Sequence, residues 1–351
     1  MQIDVLLIGQ GLAGSLLAWE LLKRRLRVLV VDDGLQNASQ VAAGLINPVT
    51  GQRLVKQPDI ESLLPAALTA YRQLESDFRQ NFYVQLPMLK ILRNRKQREL
   101  AERRLAQPDY FAYLSDIAPM PKGIEAAFGI LRQRQTGYLK TEALLTSLRD
   151  FLISNGCYRQ AVVEYGDIRL EQGLRWRELK PRHIVFCEGH RALSNPWFGG
   201  LPFQLAKGEI LSCLSRQDIP DHILNYGHWL IPLETRRFKT GATFEVDLID
   251  NSPTQLAQTV LLDSLRSVYP LQKSCEVYQH RAGIRPATLD KKPFIGTHPN
   301  YKQLHIFNGF GAKGSLAMPW HVARFADYLQ QQAGLPKGCD IRRYYESHFA
   351  A

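Results

Sequence analysis

Gly9, Gly11 and Gly14 stand in the spacing G-x-G-x-x-G inside the apolar run VLLIGQGLAGSLLAWELL (5–22). Gly9 permits a tight turn out of a strand, Gly11 lets a phosphate approach the backbone, and Gly14 lets the following helix pack closely on the sheet. The helix N-terminus, with Leu12 and Ala13 in its first turn, then offers unpaired N–H groups and a positive dipole end to a pyrophosphate. Asp32 follows Gly14 by 18 residues, at the end of the next apolar run, where a carboxylate can accept both ribose hydroxyls. With its neighbour Asp33 it would repel a 2′-phosphate, which argues for FAD or NAD and against NADP. This set predicts a dinucleotide site.

The elements that must hold such a turn are readable. Residues 3–8 predict a buried strand, 12–24 a helix and RVLVVDD (27–33) a second strand, a βαβ opening. Apolar spacing predicts helices over 60–78 and, more exposed, over 90–107; APMPKG (118–123) marks a boundary. An N-capped helix is expected within 136–157, ending at Gly156, and then short strands to RHIVFCEG. KGEILSCLS, HWLIPL and FKTGATFE predict an antiparallel sheet with a helix over 254–268, and the chain returns to a strand, glycine turn and helix at 304–332. The fold class expected is α/β with an α+β substrate lobe: a Rossmann-like lobe interleaved with an antiparallel-sheet lobe.

A length of 351 residues suits two lobes around a cleft. No segment approaches the roughly 18 to 20 apolar residues of a membrane span. The start shows no secretory pattern, so a cytoplasmic protein is expected. Five cysteines, widely spaced and without a C-x-x-C pair, suggest reduced thiols and no metal site. The net charge of +11 favours anionic partners. Seven basic residues between Lys90 and Arg104 read either as a solvated helix face or as a patch for RNA.

HRAGIRPATLDKKPFIGTHP (280–299) and LHIFNGFGAKGSLAMPW (304–320) resemble the C-terminal signature of the FAD-dependent D-amino acid oxidase superfamily, which includes glycine oxidase and sarcosine oxidase. IVFCEGHRALSNPWFGGLPFQLAKGEIL (184–211) and WLIPLETRRFKTGATFE (229–245) are similar to two further motifs of that family, in the same order. The resemblance implies FAD, a three-segment FAD lobe (1–60, 137–200, 281–351) and a substrate lobe (61–136, 201–280). It also implies oxidation of an amine at its α-carbon, a hydride equivalent passing to the flavin and water hydrolysing the imine. By resemblance, Arg285 of G-I-R-P holds a substrate carboxylate, which an Arg fork suits better than Lys. Lys313 lies in the second glycine turn, near flavin or substrate, and Trp229, with Tyr226 and His228 beside it, falls where the family has a substrate-side aromatic; on an alternating strand Tyr226 and His228 share a face opposite to Trp229. Ala43, Gly44, Leu45 and Ile46 match the loop beneath the flavin, and Val163, Cys187, Gly189, Gly309, Phe310, Gly311 and Gly314 complete the implied cofactor contacts. Asn47, Arg53 and Lys56 either meet substrate or cap the loop.

Ala312 stands where glycine oxidases carry an arginine, which weakens an inference of small-amino-acid specificity. Besides a small amine or amino acid, a second partner stays open. NGFGAKGSLAMP also resembles the corresponding turn of the bacterial bifunctional tRNA-modification enzyme that removes a carboxymethyl group from an aminomethyl-uridine. A third reading is a non-catalytic flavin-binding subunit.

Overall fold

A computed structural model describes residues 2–118, 123–171, 173–234 and 236–349. The proline–glycine boundary expected at 118–123 lies mostly outside them, at 119–122. The apolar runs flanking the first glycine turn form the middle of a six-stranded sheet. Its order is Tyr158–Gln160, Val28–Asp32, Gln2–Ile8, Lys180–Phe186, Leu304–Asn308 and Phe294–Thr297. The first five strands run parallel and the last pairs antiparallel to Leu304–Asn308. Leu6, Leu7, Val30, Val31, Ile184 and Val185 are fully enclosed, because both faces of a parallel sheet are covered. Helix Leu12–Lys23 is buried on almost every side, in the same core as helix Gly314–Leu329.

A second sheet has nine strands among the described residues. Its backbone order is Glu245–Val246, Ala206–Leu214, Arg237–Gly241, Trp229–Pro232, Ile223–Asn225, Met88–Ile91, Ile130–Gln133 and Leu114–Ala118, with Glu276–Arg285 also pairing Ala206–Leu214. All pairs are antiparallel except Ile223–Asn225 with Met88–Ile91. Leu211, Leu230 and Phe238 turn to the side covered by helix Gln255–Val268 through Leu261 and Leu265. Thr254 caps that helix, its Oγ1 accepting from the Ala257 N–H at 3.2 Å. By alternation Gly208, Ile210, Gly241 and Trp229 face the other way, towards the parallel-sheet lobe.

Two expected helices are shorter than their patterns. In the 90–107 segment, Met88–Ile91 is a buried strand, and the helix starts only at Arg95, where the Asn94 side chain accepts from the Gln97 N–H. Its charges pair along the helix, Arg95 with Glu99 and Arg98 with Glu102, as a solvated face does. In the 136–157 segment, Gly137–Leu139 pairs as a strand and the helix is Thr141–Ser154, whose N-cap Lys140 makes no side-chain capping bond. Among the described residues no helix is long and apolar enough to cross a membrane.

Candidate active site

The first glycine turn is fixed by what surrounds it. Gly9 has φ +103°, and a Cβ there would lie 2.5 Å from the Cys187 carbonyl oxygen; a Cβ on Gly14 would lie 2.0 Å from the Gly9 oxygen. Gly11 is the N-cap of helix Leu12–Lys23 and brings no side chain to its end. Ser39 Oγ accepts the Leu12 N–H at 3.0 Å. The other first-turn donors have no acceptor within the helix and suit an anion. Asp32 is held by backbone donors, Gln10 N to Oδ2 at 2.7 Å and Gly34 N to Oδ1 at 2.8 Å. Asp33 accepts from Leu35 N and pairs with Arg191.

From this turn a cavity of about 390 Å³ runs between the two sheets. Gly9, Gly11, Leu12 and Ala13 line it, with Asp32 and Asp33 from the end of the second strand. Ala43, Gly44 and Leu45 line it from the following loop, and Val163, Cys187 and Gly189 from the opposite wall. Phe310, Gly311 and Gly314 close the far end, where Arg285 and Trp229 also reach the cavity.

Other residues singled out by sequence lie outside this lining. Gly14 serves helix packing, Ile46 is wholly buried, and Gly309, at φ +83°, abuts Thr288. Lys313 is the N-cap of helix Gly314–Leu329, and burial lowers its pKa. Tyr226 is not brought to the cleft. Residues 226–228 are not a strand but the turn between Ile223–Asn225 and Trp229–Pro232, closed by Tyr226 N to His228 O at 2.9 Å. The Tyr226 ring sinks into the core beneath the sheet, its hydroxyl 2.6 Å from Thr240 Oγ1. His228 is instead tied to the Ala242 carbonyl at 3.2 Å, and burial lowers its pKa.

Arg285 has a different environment. Its Nη1 donates to the Lys207 carbonyl at 3.1 Å and both Nη1 and Nη2 donate to the Thr243 carbonyl at 3.2 Å. Its face lies 5.6 Å from the centre of the Phe244 ring. No carboxylate of the described residues pairs with it, and desolvation lowers its pKa. A cation oriented by carbonyls, without a counter-ion, at the wall of a cleft is arranged to receive an anion. Gly208 makes this pose possible, since a Cβ there would fall 2.0 Å from Arg285 Nη2.

Sequence reasoning missed Glu188. Its carboxyl lines the cleft and accepts from Tyr165 Oη at 2.9 Å and Asn195 Nδ2 at 2.8 Å. Burial pushes it up to about 7. An acid closing the apolar run IVFC was the available signal. Arg149, which bonds Gln10 Oε1 at 2.7 Å behind Asp32, left none.

The family model for FAD dependent oxidoreductases, DAO, matches residues 4–328. The chain belongs to this family. FAD-dependent oxidoreduction is the chemistry that the family's description names. The chain is 22% identical over 358 residues to glycine oxidase of Geobacillus kaustophilus, covering 94% of this chain and 93% of that protein. The crystal structure of glycine oxidase from that organism superposes with a TM-score of 0.84 at 20% identity, covering 98% of both chains. This chain is also 24% identical over 367 residues to the tRNA 5-methylaminomethyl-2-thiouridine biosynthesis bifunctional protein MnmC of Leptospira interrogans, covering 89% of this chain and 55% of that one. The chain thus spans about half the length of the first curated relatives it matches. The residues present fit FAD. A backbone-held carboxylate can take the ribose hydroxyls, the first-turn N–H groups that Ser39 leaves free the diphosphate, and the Phe310–Gly314 turn the far end of the group.

Proposed function

We propose that this DAO-family protein oxidises the C–N bond of an α-amino acid or an N-substituted glycine. Bound FAD supplies the two-electron acceptor. Arg285 fixes the substrate carboxylate through its Nε and the remaining Nη2 hydrogen, while the Lys207 and Thr243 carbonyls hold its other N–H groups and so set its plane. Trp229 and Ile210 wall the cleft, excluding water from the carbon being oxidised, while the amine leaves as an imine that water later hydrolyses. The observation that carries this reading is the unpaired, desolvated Arg285 guanidinium at the cleft wall.

The test is anaerobic bleaching of the yellow protein by glycine, sarcosine and D-amino acids, repeated with Arg285→Ala. At least one of these amines should bleach the flavin. The variant should keep FAD and bind that amine about 30- to 5,000-fold more weakly, as expected when a charge-paired contact of about 2 to 5 kcal/mol is lost. Bleaching unaffected by the substitution overturns the role of Arg285. A second reading rests on the match along 89% of the chain to the bifunctional tRNA-biosynthesis protein. The amine would then be borne by a tRNA nucleoside. Steeply salt-dependent tRNA binding without response to free amines would favour it.

A further inference from the structure

Lys90, on strand Met88–Ile91, is only 8% exposed, and its ammonium makes no hydrogen bond or ion pair with any described residue. Lys207, buried elsewhere in the same sheet, shows how a structural lysine is satisfied here. Its Nζ bonds the Ser252 carbonyl at 2.7 Å and pairs with Glu209 and Asp250, each at 3.3 Å. Lys90 has no such company. Burial, with Arg93 nearby, pushes it down to about 8.

Its neighbours on the same face of the sheet are polar too. Asn225 stands beside Lys90 in register and Trp229 opposite Asn225, so the three lie in one row on one face of the sheet, and of the three Trp229 lines the cavity. The Asn225 amide has a single partner among the described residues, a weak contact to Met88 Sδ at 3.9 Å. On the next strand Gln133 is buried opposite Met88, its Oε1 without a partner. Gln133 Nε2 reaches the Val49 carbonyl at 3.4 Å, tying the Val49–Lys56 hairpin to this face. A lysine carries three donors, enough for the Gln133 carbonyl and an anionic ligand together.

We propose that Lys90, with Asn225 and Gln133, forms a second recognition site on the cleft side of the antiparallel sheet, for a carboxylate-bearing end of the substrate remote from the group held by Arg285. The inference rests on the reading of Arg285 above. The guanidinium lies over Gly208, four strands from Lys90, or on the order of 19 Å at the usual strand spacing, part of it covered by the lysine stem. The ligand must be an extended chain.

The holoenzyme is titrated with α,ω-dicarboxylates from succinate to dodecanedioate and with the monomethyl ester of each, following perturbation of the flavin spectrum. At one of the longer lengths the diacid should bind about tenfold more tightly than its ester, as a hydrogen bond to a charged group predicts. In Lys90→Met the preference should vanish; in Lys90→Arg, which keeps the charge should the methionine variant fail to fold, it should persist. No preference at any length, or its survival in Lys90→Met, overturns the second site while leaving Arg285 in place. If neither series perturbs the flavin, or Arg285→Ala binds both as well as wild type, the reading of Arg285 falls and the second site falls with it.

Discussion

Gly208→Ala places one methyl group against Arg285 and changes little else. The added Cβ would lie 2.0 Å from Nη2, 2.3 Å from Cζ and 2.4 Å from Nη1. The backbone at 208 is not in the left-handed region, so the cost falls on the guanidinium. To reach ordinary contact it must lift by more than 1 Å, which breaks its bonds to the Lys207 and Thr243 carbonyls. A hydrogen bond to a charged group contributes about 1.5 to 3 kcal/mol, and a displacement of about 1 Å in a positioning group costs on the order of 100-fold. We therefore expect KM for the amine that bleaches the flavin to rise about 10- to 100-fold, with kcat falling less. FAD affinity, measured in parallel, should stay near wild type, and Tm should fall by only a few degrees as those bonds are lost. A double-mutant cycle isolates the cause: in an Arg285→Ala background the alanine at 208 has nothing to displace and should cost almost nothing. Equal losses in both backgrounds, or unchanged KM in the single variant, would refute the idea that Gly208 seats the cation.

Asp32→Asn should weaken FAD binding about tenfold or more, because an amide cannot accept from Gln10 N, Gly34 N and the ribose hydroxyls together; an unchanged Kd for FAD by fluorescence quenching would contradict that role. Gly9→Ala drives a Cβ into the Cys187 carbonyl at a positive φ, and we expect a loss of roughly 2 to 4 kcal/mol in denaturant unfolding, or failure to fold. Glu188 titrates at about 7 in the fold against an ordinary 4.5. Its contribution is fully present below the ordinary value and is lost as pH rises through the folded one. Glu188→Gln keeps partners for Tyr165 and Asn195, so Tm of the variant relative to wild type should climb between pH 4.5 and 7 and then level; a pH-independent difference would exclude this titration.

What could be read from sequence follows from how far each residue's environment is local. The turn around Gly9 was legible because strand, turn and helix are contiguous and each glycine has a steric task within a few residues of itself. The alternating strands of the second sheet were legible for the same reason. The strand at Met88–Ile91 was not, since Lys90 carries a charge into a buried row and so imitates an exposed helical position. Tyr226 failed differently: alternation was extended through residues that the hairpin uses as its turn, which sent the ring to the core instead of the cleft. The Arg285 pose depends on Gly208, Lys207 and Thr243, contributed by two segments more than 40 residues before it. No single-segment pattern encodes that juxtaposition. Glu188 and Lys90 share a common physical feature, a titratable group set in an apolar strand or at its end, where propensity and periodicity assign it no purpose. Such groups are expensive to bury unless something offsets the desolvation. For Glu188 the offset is visible in Tyr165 and Asn195, whereas for Lys90 none is supplied by the described residues, and that asymmetry is why the second site is assigned to Lys90.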